Sequence, residues 1–256
     1  MKSFTYTVDD NIKFFKDITE RGYESIFEHP YLAMYKRLHE KYGVKIQLNL
    51  FYECEGFNLT MFSDRYKDEW KAVSDWLKLS FHSRLENVCP YEFSGYDEVY
   101  NDCKNVNTQI LRFASDSSLA KTTTVHYCLT TQEGHKALAD SRILGLLGLY
   151  GKHNYPSVSY SRSEKEAEEI LLGKTIKSDG VYHAGLDIVL NLYPKEEILR
   201  RLDTLLGREL IKLMIHEQYF YEEYRCYQKD FEEKLDAAFG YLYENGYESV
   251  FFEDTL

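Results

Sequence analysis

Two carboxylates stand side by side at Asp9 and Asp10, at the end of the stretch "FTYTVDDN". Thr5, Tyr6, Thr7 and Val8 favour an extended chain, and a helical pattern begins directly after the acids. Neighbouring like charges repel, so the pairing needs a cause. One is structural: a solvated turn in which the Asp10 side chain accepts an orphan N–H at the start of the next helix. The other is a division of labour, with one acid holding a cation and its neighbour moving a proton.

Other residues suited to such chemistry lie far along the chain. His82 falls in "FHSRLE", with Glu86 four residues later, and His126 falls in "TTTVHYC". His216 and Glu217 close the apolar run "LIKLMIHE". A divalent ion takes imidazole nitrogen and carboxylate oxygen and keeps a position open. Asp10 and His82 offer one donor of each kind. If a helical turn follows His82, Glu86 points the same way and adds a third. Each residue also has a plain structural reading. His82, His126 and His216 could be hydrogen-bonded core histidines, and Glu86 could pair with Arg84. His39, His135 and His153 read as surface groups, and the run "EKEAEE" as a solvated helix face.

These residues depend on the elements that carry them. Alternating or β-branched patterns predict strands at 3–10, 44–53, 77–83, 121–130, 143–151 and 210–218. Between them, apolar residues at helical spacing predict helices, two of which end at Gly22 and Gly43. Strand and helix alternate six or seven times, which argues for parallel strands with helical crossovers. No Gly-rich phosphate loop follows the first strand, so a nucleotide-binding open sheet loses support. A single domain over residues 1–256 with a barrel-like closed sheet is the expectation, with an open α/β sheet second. In such barrels functional side chains gather where strands end, and Asp9, Asp10, His82, His126 and His216 all fall near predicted strand ends.

Composition narrows the class. The chain has 256 residues, 44% of them hydrophobic, and a formal net charge of −11. That balance, with no Lys/Arg-rich tract, speaks against nucleic acid as a partner. No stretch approaches the roughly 18 apolar residues that span a bilayer, and "MKSFTYTVDD" carries no signal-peptide core, so a cytoplasmic protein without a membrane partner is expected. Cys54, Cys89, Cys103, Cys128 and Cys226 are scattered without a C-x-x-C pair, which fits free thiols in a reducing compartment. The 23 tyrosines read mainly as core aromatics with a hydroxyl at the rim.

Three of these stretches resemble the motifs of the NodB-type polysaccharide deacetylase family. "TVDDN" is similar to its T-F-D-D-G, "FHSRLE" to its H-S-x-x-H and "LMIH" to its L-x-H, in the same order along the chain. The resemblance implies a distorted (β/α) barrel with about seven parallel strands. It implies a metal-dependent hydrolase that removes acetyl groups from a carbohydrate. Asp9 would be the base that deprotonates a metal-bound water, and His216 the acid that protonates the leaving group. Asp10, His82 and Glu86 would hold a divalent ion, zinc first among the candidates. His126 and Glu217 would serve the substrate side, Glu217 also raising the pKa of His216.

The sequence departs from the family in places. Glu86 stands where the second histidine is expected, which shifts preference toward harder cations. Asn11 replaces the glycine after the acid pair, a mild change because Asn tolerates a left-handed backbone. The R-x-P-Y and D-x-x-D-W motifs are missing, and "TTTVHYC" takes the place of the first. Two other functions stay open: a non-catalytic carbohydrate-binding barrel, and a metal-independent glycosidase or lyase using paired carboxylates.

Overall fold

The computed structural model describes residues 2–86, 91–151 and 159–256; Cys89 and His153 lie outside the described residues. Nine strands carry the architecture: β1 (Ser3–Asn11), β2 (Ile46–Phe51), β3 (Leu77–Ser83), β4 (Thr122–Thr123), β5 (Gly145–Gly148), β6 (Val181–Gly185), β7 (Ile188–Val189), β8 (Leu210–His216) and β9 (Glu248–Ser249). Eight α-helices alternate with them: α1 (Lys13–Arg21), α2 (Pro30–Tyr42), α3 (Lys67–Ala72), α4 (Tyr96–Phe113), α5 (Gln132–Asp140), α6 (Glu164–Leu171), α7 (Lys195–Leu205) and α8 (Phe231–Glu244).

The strands form a parallel sheet in the order β7–β8–β1–β2–β3, with β9 also pairing β1, and a second sheet β4–β5–β6 edged by the antiparallel stretch Ile176–Ser178. Two seams link the sheets. Leu79 N donates to Ser118 O and Ala120 N to Leu79 O, both at 2.8 Å, where β3 meets the approach to β4. On the other side β6 pairs with β5, and β7, two residues further on, pairs with β8. The result is a mixed α/β fold with parallel strands, consistent with a distorted barrel.

Burial explains the composition of the strands. Every residue of β1 except Ser3 is buried, and so is all of β2, as expected where helices cover one face and the opposite face points inward. Phe14, Phe15 and Ile18 dock α1, with Phe15 packed edge-on against Phe62 and Phe113 at centroid separations of 4.7 and 5.1 Å. Gly22 and Gly43 end α1 and α2 at φ 67° and 66°, left-handed positions that suit a residue with no β-carbon. The run "EKEAEE" is the outer face of α6, begun by a Ser163–Glu166 capping box.

Several expectations change. The strand predicted over 121–130 shrinks to Thr122–Thr123, because the chain then turns through Tyr127 at φ 59° and Cys128 at φ 55°. The late strand stops at His216, and Glu217–Phe220 is a 3-10 turn. His135 is fully buried rather than on the surface. Cys54, Cys103, Cys128 and Cys226 are free thiols. No helix among the described residues is long and apolar enough to cross a membrane.

Candidate metal centre

Parallel strands bring their C-terminal ends to one side, and the polar residues gather there. Asp9, Asp10, His82, Glu86, His126 and His216 all line a cavity of about 440 Å³. Successive residues of a regular strand point to opposite faces, so Asp9 and Asp10 should not share it. A β-bulge resolves this. Val8 pairs with Leu48 and Asn11 with Leu50, leaving Asp9 and Asp10 together opposite Asn49. Asp10 takes φ 65°, and the extra residue re-aims its side chain. The left-handed position is therefore Asp10 and not Asn11. Asn11 continues the strand and fastens it: its Nδ2 donates to Val8 O at 2.6 Å and Asn49 O at 3.1 Å, and its Oδ1 accepts from the Tyr31 hydroxyl at 2.8 Å.

Three donor atoms form a small triangle. His82 Nε2 lies 2.9 Å from Asp10 Oδ1 and 3.1 Å from His126 Nδ1. The third side, His126 Nδ1 to Asp10 Oδ1, is 3.3 Å. Ligand atoms on one cation with bonds of about 2.0–2.1 Å are separated by roughly 2.9 Å in octahedral and 3.3 Å in tetrahedral geometry. The triangle fits both. Its tautomers fit as well. His82 Nδ1 lies 2.5 Å from the Thr124 carbonyl, which only accepts, so Nδ1 carries the proton and Nε2 presents its lone pair. A lone pair on His82 and a carboxylate oxygen at this separation suit a cation between them, as they also suit a proton on Nε2. Two imidazoles and one carboxylate suit zinc, cobalt and similar ions.

Glu86 does not join the triangle; His126 supplies the third donor instead. The reason is local. The helical turn that would carry Glu86 over His82 does not form, because β3 ends at Ser83 and residues 84–86 bend away, with Arg84 bonded to Glu53 at 3.1 Å. Glu86 lies where this cavity meets a second one of about 550 Å³. Glu217, expected on the substrate side, is fully buried and faces away. Its carboxylate accepts the backbone N–H groups of Ile12, Lys13 and Phe14 at 2.7, 2.9 and 2.8 Å and the Tyr221 hydroxyl at 3.1 Å. It caps α1 and is not among the residues lining the cavity.

The two acids sit in opposite electrostatic surroundings. Burial pushes the Asp9 carboxyl well above the usual range; the Asn49 amide opposes this and the charge of Asp10 adds to it. Burial would also raise Asp10, but His126 and His82 hold it well below the usual range. Environments that drive neighbouring acids apart separate their roles. Asp10 stays ionised, and Asp9 is able to take a proton. His216 is the register partner of Asp9 across β1 and β8, and its Nδ1 lies 2.9 Å from Asn191 Oδ1. Burial lowers its pKa, with Asp10 pulling upward.

Several residues of the site were not anticipated: Asn49 and Asn191, which orient Asp9 and His216, and Gln218, whose Nε2 donates to Asp10 Oδ2 at 2.6 Å. Tyr219, Tyr224 and Arg225 complete the rim. Asn49 was detectable, since an Asn inside the apolar run "IQLNLF" has to be satisfied by a partner.

No protein-family model matches the chain, and no curated protein matches it. Solved structures do. A 4-α-glucanotransferase from Thermococcus litoralis aligns with a TM-score of 0.64 at 12% identity, over 99% of this chain and 40% of that one. A family 4 acetyl xylan esterase from Clostridium thermocellum, in complex with a cobalt ion, aligns with a TM-score of 0.52 at 13% identity, over 99% and 89%. A peptidoglycan N-acetylglucosamine deacetylase aligns with a TM-score of 0.50 at 12% identity, over 98% and 86%. The chain thus spans less than half of the glucanotransferase and most of the two deacetylating enzymes. At these identities the likeness is one of fold.

Proposed function

We propose that this protein is a metal-dependent hydrolase that removes acetyl groups from a carbohydrate. The observation that carries this reading is the Asp10–His82–His126 triangle, with sides of 2.9 to 3.3 Å, in the same cavity as Asp9 and His216. The likeness of fold to an acetyl xylan esterase holding cobalt and to a peptidoglycan deacetylase supports it. In this reading the two sheets close into one distorted barrel through the seams at Leu79 and at β6–β7.

Asp10, His82 and His126 would hold a divalent ion, zinc in the first instance, which would supply Lewis acidity and lower the pKa of nearby water. The chain does the rest. Asp9 takes a proton from the attacking water, whose oxygen adds to the acetyl carbonyl carbon. The bond from that carbon to the sugar nitrogen or oxygen breaks, and its electron pair stays on the leaving atom. Protonated His216 gives that atom a proton through Nε2, since Nδ1 is engaged by Asn191. Acetic acid, which ionises to acetate by releasing its proton to solvent, and a free amine or hydroxyl result; Asp9 then loses its proton to solvent and His216 regains one.

The likeness to a glucanotransferase favours a second reading, in which paired carboxylates act on a glycosidic bond without metal. One experiment separates the two. The purified protein, assayed with zinc and with a chelator on a panel of acetylated oligosaccharides, should release acetate only with metal. The Asp9→Asn variant should lose roughly 10²-fold in turnover and keep its metal. Metal-independent cleavage between sugar units, with no acetate released, would decide for the second reading.

A further inference from the structure

A chain of buried side chains crosses the interior from β4 through β2 to Asp9. Thr122, Gln47, Asn49 and Asp9 are all buried, none more than 2% exposed. Thr122 Oγ1 donates to Gln47 Oε1 at 2.9 Å. Gln47 Nε2 donates to the Thr122 carbonyl and to Asn49 Oδ1, each at 2.8 Å. Asn49 Nδ2 donates to Asp9 Oδ1 at 2.7 Å.

The direction of this chain is fixed by its members. Gln47 faces two acceptors with one end, so that end is its amino group. Asn49 therefore meets Gln47 with its oxygen and Asp9 with its N–H. Reversing either amide would set like against like among buried groups. Asp9 consequently always receives a donor on Oδ1.

We infer that Thr122, Gln47 and Asn49 form a positioning relay that keeps Asp9 Oδ1 an acceptor and reserves Oδ2 as the atom that takes the proton from the attacking water. The inference rests on the hydrolase reading and adds to it the atom that acts as base and the residues that select it. A proton on Oδ1 would make that oxygen a poorer acceptor for the Asn49 N–H, whereas on Oδ2 it leaves the relay bond at full strength. The bulge makes this possible, because it sets Asn49 opposite both acids while only Asp9 is bonded to it.

The test compares Asn49→Leu, Asn49→Ala and Gln47→Leu with the unmodified zinc-loaded protein. Asn49→Leu and Asn49→Ala remove the donor, and Gln47→Leu acts at one remove, so the comparison survives if Asn49→Leu does not fold. Two quantities are read: kcat for acetate release, and the calorimetric affinity for acetohydroxamate, whose proton must pass to the base on binding. Both Asn49 variants should lose roughly 10²-fold in kcat, the cost of a misplaced catalytic group, with KM and zinc content unchanged. Acetohydroxamate should bind at least about tenfold more weakly, and adding Asp9→Asn should cause no further loss, because residues acting as one unit are non-additive. Wild-type kcat and acetohydroxamate affinity in zinc-replete Asn49→Leu would overturn the relay while leaving the hydrolase reading intact. An unmodified protein that takes up no zinc would overturn that reading, and the relay with it.

Discussion

His82 Nδ1 lies 2.5 Å from the carbonyl oxygen of Thr124, two residues before His126. One short segment after β4 thus sets the tautomer of one candidate ligand and supplies another. His126→Ala should abolish stoichiometric zinc binding, and so should His82→Ala. Glu86→Gln, at the wall between the cavities, should leave it unchanged. Metal analysis after dialysis against a fixed free-zinc buffer checks this. Zinc lost from Glu86→Gln but retained by His126→Ala would return the third ligand to Glu86.

Glu217 ties the end of β8 to the start of α1 through three backbone N–H groups and the Tyr221 hydroxyl. Glutamine at this position offers one acceptor where the carboxylate offers two and turns an N–H toward donors. Glu217→Gln should destabilise the fold by about 2–4 kcal/mol, given the cost of unsatisfied buried groups and the strength of bonds to a charged acceptor. Urea unfolding measures it. An unchanged midpoint would show that solvent replaces the lost contacts.

His135 and His183 are both fully buried, with ring centroids 5.0 Å apart. Burial, reinforced by the Arg162 guanidinium and, for His183, by the His135 ring, depresses them to about 4 and about 3. The Asp179 carboxylate pulls the other way for both. The unfolded chain therefore takes up protons first as pH falls. The stability they provide is complete above the ordinary histidine pKa of about 6.5 and drains away between there and about pH 4, by up to about 1.4 kcal/mol per pH unit for each ring. Urea midpoints between pH 7 and 4.5 should show this slope, and His183→Phe should reduce it. An identical slope in that variant would assign the acid sensitivity to other groups.

Much of this arrangement is legible in the sequence because parallel strands deliver their ends to one place. A reader who locates the strands already has Asp9, Asp10, His82 and His216 on the same side. What escapes depends on geometry a few residues long. Glu86 is drawn to the metal by its match to the expected second histidine and by a supposed helical turn that the bend after Ser83 replaces. His126 reads as a strand residue because "KTTTVHYCLT" is β-branched, yet the chain leaves the sheet at Thr124. Glu217 follows a histidine and so looks catalytic, while its partners are N–H groups about 205 residues earlier. His135 sits at a helical spacing that says nothing of the sheet closing over it. Local backbone turns decide Glu86 and His126, contacts between distant segments decide Glu217 and His135, and the hydrophobic pattern carries neither.

The left-handed backbone at Asp10 has a consequence for what holds the bulge in place. A residue with a β-carbon gives up roughly 1–2 kcal/mol there relative to glycine, somewhat less for aspartate. Glycine would relieve that strain, but it would strand the buried Gln218 Nε2 and His82 Nε2, which now meet the carboxylate at 2.6 and 2.9 Å, at about 1–3 kcal/mol for each group left unsatisfied. Backbone and side chain therefore pull in opposite directions at a single position, and the kink in β1 is held open by what the carboxylate grips rather than by any ease of the chain itself.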